Sequence, residues 1–296
     1  QAEDGIRDSV ASRGLGDVYK RQVLHISDTH ILPDGYLVAK RLNTRQQLHT
    51  LVKYLIQHAP EYGPIDAIIL SGDVSDDGSL ESYSCFKEIM HGLNLPVYVV
   101  PGNHDLRENM RKSFIDEGYI PKEGRLNWHR NIGDIHLIGL DSLKEGFGEG
   151  ELDSETLFFL RNKLNRIDNA PVILMLHHPP FKSGIKFMDK IGLKTGLDEF
   201  KNIVKAYPGS MRIVCGHIHS IMVSTVEQKT VISAPSPASS FLFNVHDDAP
   251  VGFTDIGEGC FIHRWKEGFQ SIKTVSYTHL RAHETLRYLV CRLLLE

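Results

Sequence analysis

Val23-Leu24-His25-Ile26-Ser27-Asp28-Thr29-His30 carries the decisive pattern of this chain: a short run that a strand can bury, broken by an aspartate and, two residues on, a histidine. The event repeats. Ala67 to Leu70 runs into Ser71-Gly72-Asp73, and Val97 to Val100 into Pro101-Gly102-Asn103-His104-Asp105. Val172 to Leu176 runs into His177-His178-Pro179-Pro180, and Arg212 to Cys215 into Gly216-His217-Ile218-His219. Apolar runs of this length, bounded by Gly, Pro and polar clusters, are the mark of buried strands. Helical spacing lies between them. Lys40 to His58 repeats apolar residues at Leu48, Leu51, Val52, Leu55 and Ile56, and similar patterns span Ser79 to Met90, Ser154 to Ile167 and Leu197 to Tyr207. Further strands are predicted at 135–140, 221–226, 230–233 and 260–265. Alternating strands and helices predict an α/β fold. Ligands bind at the C-terminal strand edge of such sheets, so the five polar strand ends are expected on one rim of the sheet, as a site.

Composition sets the outer limits. The 296 residues correspond to about two ordinary domains or one large α/β domain. Hydrophobic residues at 41% and charged residues at 24% supply a packed core and exclude global disorder. Lys+Arg at 33 against Asp+Glu at 37 leaves −4, which excludes the basic field that non-specific nucleic-acid binding needs. No apolar run is long enough to span a bilayer, and residues 1–10 lack the apolar core of a secretory signal. A cytoplasmic protein with no nucleic-acid or membrane partner is expected. Cys85, Cys215, Cys260 and Cys291 are scattered without a CxxC, so neither a disulfide framework nor a thiolate zinc site is expected. Residues 1–22 lack periodicity, and residues 275–296 mix polar residues with an apolar tail. Both resemble translated sequencing-adapter DNA. The expectation is a domain over 23–274, between a non-native or disordered leader and a non-native or loosely ordered tail.

The unusual number is histidine, at 16. Asp28 and His30 stand two residues apart, and in extended backbone both project to one side. His217 and His219 repeat this with two imidazoles. Asp73 follows a glycine that permits close backbone approach, Asn103 and His104 follow a Pro-Gly turn, and His177 caps a strand. Carboxylate and amide oxygens mixed with imidazole nitrogens, without thiolate, suit Zn, Fe, Mn or Co. Asp28, His30, Asp73, Asn103, His177, His217 and His219 are too many ligands for one tetrahedral ion and suit two ions that share a bridging carboxylate. Each motif alone occurs by chance; their succession at strand ends carries the dinuclear reading. His25, His49, His58, His91, His129, His136 and His263 lack a partner motif and read as structural. His178 is expected to face away from its neighbour His177.

Together these motifs resemble the calcineurin-like metallophosphoesterases, through Asp28-Thr29-His30, Gly72-Asp73, Gly102-Asn103-His104-Asp105, His177-His178-Pro179-Pro180 and Gly216-His217-Ile218-His219. Within that superfamily, GNHD with HHPP is similar to the class III cyclic-nucleotide phosphodiesterases and the related bacterial glycerophosphodiesterases. Protein Ser/Thr phosphatases usually carry GNHE, and diacylglucosamine hydrolases of the lipid A pathway GNRD. The segment Ser233 to His263, with its Asn244 to Asp248 loop, has a looser similarity to the glycerophosphodiesterase group. The resemblance implies a four-layer α/β/β/α sandwich of two mixed sheets flanked by helices, with two divalent metal ions between the sheets' C-terminal edges. It implies one ion on Asp28, His30, Asp73 and His219, and a second on Asp73, Asn103, His177 and His217. It implies substrate contacts from Asn103, His104 and His217. His104 takes transition-state stabilisation or leaving-group protonation, oriented by Asp105 or Asp76.

A phosphodiester repels hydroxide, and its leaving alkoxide needs a proton or a cation. Two ions neutralise the phosphate and lower the pKa of a bridging water toward neutrality. The expectation is a metal-dependent phosphodiesterase for small diesters, working by attack of a metal-bridged hydroxide, with 3′,5′-cyclic AMP favoured. The alternative is a glycerophosphodiester or broad-specificity phosphoesterase. A non-catalytic binding scaffold is the rival of another class, and the complete ligand set argues against it. Phe181 to Gly196 and Pro235 to Gly257 are too long for simple turns and are the candidates to roof the site. A small diester is the expected partner, and a homodimer stays open.

Overall fold

A computed structural model describes residues 21–274 apart from 247, 248 and 250. The flanks 1–20 and 275–296, with Asp247 and Asp248 of the loop singled out above, lie outside the described residues. The first half runs β1 (Arg21–Ile26), α1 (Thr44–Tyr62), β2 (Ala67–Leu70), α2 (Leu80–His91), β3 (Val97–Val99), α3 (Arg107–Phe114), β4 (Trp128–Ile132) and β5 (Ile135–Gly139). It continues through β6 (Gly150–Glu151), α4 (Ser154–Leu164), β7 (Val172–Met175), α5 (Lys186–Lys190), β8 (Leu193–Thr195), α6 (Leu197–Ala206) and β9 (Met211–Cys215). Six strands close the described chain: β10 (Met222–Val226), β11 (Lys229–Ser233), β12 (Ser240–Phe241), β13 (Phe253–Thr254), β14 (Cys260–Trp265) and β15 (Phe269–Thr274).

Two mixed sheets result, in the orders β15-β14-β1-β2-β3 and β10-β11-β9-β7-β5-β4. Strands β1, β2 and β3 run parallel, as do β5, β7, β9 and β11; β14 joins β1 antiparallel inside the first sheet, and β10 and β4 close the second antiparallel at its edges. The two-residue period of a strand decides the layers. Ile173, Met175 and Val214 turn inward and share a core with the first sheet. Val172, Leu174 and Ile213 turn outward onto Leu157 and Leu160 of α4 and Phe200 of α6. Leu48, Leu51 and Leu55 of α1, with Tyr83 and Phe86 of α2, complete the core of the first sheet. The layers are helix, sheet, sheet, helix. Among the described residues no helix is long and apolar enough to cross a membrane.

Three expectations shift. The five strand ends do not share one rim: β1 to β3 belong to the first sheet, β7 and β9 to the second, and their C-terminal ends meet across the sandwich. Arg21 and Gln22, assigned to the leader, lie in β1. Gln22 is buried and its amide donates to the carbonyls of Tyr62 and Pro64, while Arg21 pairs with Asp66 at 3.0 Å. Helix α1 starts at Thr44 rather than Lys40, because the Asn43 side chain accepts the N–H of Gln46 as an N-cap.

Candidate metal centre

The turns that carry the expected ligands leave their strands through left-handed backbone. Asp28, His30, Asp73, His217 and His219 have φ of 53°, 43°, 48°, 71° and 50°. L-residues enter this region at a cost of roughly 1–2 kcal/mol, and Asp, Asn and His do so more readily than most. Asp28 with His30, and His217 with His219, therefore converge by turning, not by the alternation of extended backbone expected above. Glycines let the turns nest: a Cβ on Gly102 would overlap the Asp73 carboxylate, and one on Gly216 the Ser27 hydroxyl.

One group of donors closes around His30 Nε2 and His219 Nε2, which are 3.0 Å apart. Asp73 Oδ2 lies 3.5 Å from the first, and Asp28 Oδ1 3.5 Å from the second. The far nitrogens are occupied, His30 Nδ1 by the Asp76 carboxylate at 2.9 Å and His219 Nδ1 by Ser239 Oγ at 3.0 Å. An imidazole that donates from Nδ1 presents a bare lone pair at Nε2. Two imidazole nitrogens and two carboxylates then face one another, an arrangement that calls for a cation, a proton or a metal ion.

The second group shares Asp73. His177 Nε2 lies 3.4 Å from Asp73 Oδ2 and 3.1 Å from Asn103 Oδ1, and His217 Nδ1 lies 2.9 Å from Asn103 Oδ1. His177 donates from Nδ1 to the Ser71 carbonyl at 2.8 Å, which turns its Nε2 toward Asp73 and Asn103. His217 Nε2 is buried without a hydrogen-bond partner. Oxygen and imidazole donors in two groups joined by one carboxylate fit a pair of divalent ions.

The electrostatics point the same way. Burial opposes charge on His30, yet the Asp76 hydrogen bond and the Asp73 and Asp28 carboxylates lift it to about 9. Burial likewise opposes charge on His177, and Asp73 lifts it to about 9. Burial and neighbouring imidazoles push His217 and His219 well down. Burial works against the Asp73 carboxylate, but His177 and His104 hold it well below the usual range. The carboxylates demand positive charge on both sides of Asp73.

The neighbours take roles that no motif spacing assigns. His178 does not simply face away: its ring lies 4.7 Å from that of His217. Its nitrogens are engaged by Ser142 Oγ at 2.9 Å and the Gly148 carbonyl at 3.2 Å, so it packs behind His217. His104 donates from Nδ1 to the Asp76 carbonyl at 3.0 Å and lies 3.4 Å from Asp76 Oδ1. Asp105 is taken up elsewhere, by the N–H groups of Gly102, Val74 and Ser75 and the Tyr83 hydroxyl. Asp76 is thus the partner of His104. Its own signal in the sequence is faint, an aspartate three residues after Asp73. Ser239 stood among the loop candidates, and nothing there marks it as the partner of a ligand.

The two long segments roof the centre. Residues 181–196 form α5 and β8, and residues 235–257 the β12–β13 pair. They cover a cavity of about 390 Å³. Its floor is His30, Asp73, Asn103, His104, His217 and His219; its wall includes Val38, Leu42, Phe187, Met188, Ile191, Phe241 and Phe253. No Lys or Arg lines it among the described residues.

The family model described as calcineurin-like phosphoesterase matches residues 21–220. The chain is 31% identical, over 83% of its length and 89% of the relative's, to an Arcobacter nitrofigilis protein named "Probable glycerophosphodiester phosphodiesterase GpdQ". It is 26% identical to the 3′,5′-cyclic adenosine monophosphate phosphodiesterase CpdA of Escherichia coli K12, over 79% of this chain and 82% of that one. A dimetal phosphatase from Danio rerio shares the fold, with a TM-score of 0.59 at 13% identity over 86% of this chain and 99% of that one.

Proposed function

We propose that this chain, which belongs to the calcineurin-like phosphoesterase family, is a dinuclear metal-dependent phosphodiesterase that favours 3′,5′-cyclic AMP. Asp28, His30, Asp73 and His219 would hold one ion, and Asp73, Asn103, His177 and His217 the other, with Fe, Mn, Zn or Co all compatible with the donors. Such ions neutralise a bound phosphate and lower the pKa of a water toward neutrality. The chain's own residues do the rest. His104, held through Nδ1 by Asp76, turns Nε2 to the cavity, and as the imidazolium, with a second proton on Nε2, it protonates the leaving oxygen and is left neutral, a step typically worth ~10²–10⁴-fold. Asn103 and His217 stand on the floor beside it, placed to orient the phosphate.

One observation carries the substrate preference: an apolar, aromatic wall above a polar floor. A nucleobase laid on Phe187, Phe241 and Phe253 gains roughly 25 cal/mol for each Å² it buries, whereas a glycerol headgroup has little apolar surface to offer. A cytoplasmic location agrees with a cyclic-nucleotide substrate. The glycerophosphodiester reading uses the same floor and is favoured by the name of the Arcobacter relative. Protein loaded with Mn²⁺ should hydrolyse cyclic AMP with kcat/KM at least about tenfold above glycerophosphocholine, a difference of ~1.4 kcal/mol. The reverse order selects the second reading. No turnover of either, nor of bis(4-nitrophenyl) phosphate, with Mn or Fe supplied, would leave a binding scaffold.

A further inference from the structure

The floor of the metal centre continues as a polar seam within the first sheet. Leu24 and Ile262 line the groove beside Leu55 of α1, so by strand alternation their neighbours His25 and His263 project on the opposite face, toward the second sheet. Both imidazoles are fully buried. They are links in one chain. Ser271 Oγ lies 2.8 Å from His263 Nδ1, and His263 Nε2 3.0 Å from His25 Nδ1. His25 Nε2 lies 2.8 Å from Ser71 Oγ, which lies 2.7 Å from Ser27 Oγ. The Ser27 hydroxyl in turn bonds the Asp28 carboxylate.

The carboxylate gives this chain a direction. An ionised Asp only accepts, so Ser27 donates to Asp28 and its oxygen accepts from Ser71. With its proton committed, Ser71 accepts from His25, which must carry its proton on Nε2. His25 Nδ1 is then an acceptor, so His263 donates from Nε2 and takes the Ser271 proton at Nδ1. One pattern satisfies every member, and hydrogen bonds aligned in series polarise one another. Neither imidazole charges: burial lowers His25 to about 3 and His263 well below its ordinary value. An isolated buried imidazole would be costly, and an aliphatic side chain would fill either position without that penalty.

We propose that His25 and His263 are positioning residues, whose one-way chain from Ser271 pins the Ser27 hydroxyl to Asp28 and fixes how that carboxylate faces the first ion. The proposal rests on Asp28 being a metal ligand. In the metal-free wild-type protein, ¹⁵N NMR of the imidazoles should show both residues as Nε2–H tautomers; a proton on Nδ1 of either overturns the chain. In calorimetric titration with Mn²⁺ alone, His263→Leu should weaken one of the two ions, the one Asp28 holds, about tenfold, the scale of an outer partner of a ligand. His263→Gln, which keeps a donor at the Nε2 position, should restore affinity to within about twofold of wild type. Equal Mn²⁺ affinity in wild type and His263→Leu overturns the proposal. Ser71→Ala breaks the chain at its middle with little change in volume; it should weaken the ion equally, and unchanged affinity there overturns the proposal even if His263→Leu fails to fold. Retention of two tight ions by Asp28→Asn would overturn the ligand reading instead, and the tautomers tell the two failures apart.

Discussion

The two sheets meet at one centre but equip it differently. Of the expected ligands, the first supplies Asp28, Asp73, Asn103 and one imidazole, His30; the second supplies His177, His217 and His219 and no oxygen donor. Behind the donors the contrast persists. The inward face of the second sheet is built on Leu137, Ile173, Met175 and Val214 around one buried cation, Arg212, which donates to the Phe269 carbonyl, while the first carries His25, Ser71 and His263 among its aliphatics. The negative charge of the centre comes from one sheet; imidazoles, backed mostly by aliphatic side chains, come from the other. The need for cations is therefore written into the first sheet, and the second sets where they sit.

The sharpest way to break this picture is Asp73, the residue both groups share. Asp73→Asn should weaken both ions by at least about 100-fold and abolish turnover, followed by metal analysis after dialysis; loss of a single ion would mean that Asp73 is no bridge. His104→Ala tests a residue that faces the substrate without joining either donor group. It should keep both ions and lower kcat by ~10²–10⁴-fold, and loss of metal would place His104 among the ligands. The wall comes next. Phe241→Ala should raise KM for cyclic AMP about tenfold with kcat little changed, since ~1–2 kcal/mol of apolar contact acts equally on substrate and transition state.

A last test separates the sheets by acid. Burial lowers His25 from 6.5 to about 3, so below pH 6.5 the unfolded chain takes a proton that the folded one refuses. The stability this neutral imidazole secures is whole above pH 6.5 and is lost progressively as pH falls toward 3, at about 1.4 kcal/mol per pH unit at most. His25→Asn should flatten that acid limb in denaturant titrations. An unchanged slope would show that other groups govern it.

Much of this was legible in the sequence because strands and helices here announce themselves through aliphatic spacing. Ala67 to Leu70 begins and ends where its apolar run does, and Cys260 to Trp265 has the bounds expected from its sequence. Helix α3 gave no such signal: in Arg107–Phe114 only Met110, Arg111 and Phe114 are buried, too few for a stripe. Strand β15 alternates Phe269, Ser271 and Lys273 with Gln270, Ile272 and Thr274 at a sheet edge, where pairing with β14 rather than hydrophobicity makes the strand. Each expected ligand could be named from its motif, yet the sharing between two sheets came only through the family resemblance, since a strand end looks the same whichever sheet holds it. The partners of the ligands were hidden for a related reason. Asp76 reaches His30, and Ser239 reaches His219, across the fold, and short-range spacing does not connect either pair.

The left-handed backbone at Asp28, His30, Asp73, His217 and His219 has a consequence for the protein's durability. Glycine at any of these positions would ease the chain by roughly 1 kcal/mol while deleting a donor. Without its ions, the scaffold should therefore tolerate Asp28→Gly or His219→Gly better than buried-residue changes usually allow. A sturdier apoprotein and a working catalyst are opposing demands, and at these five places they contend for the same residue.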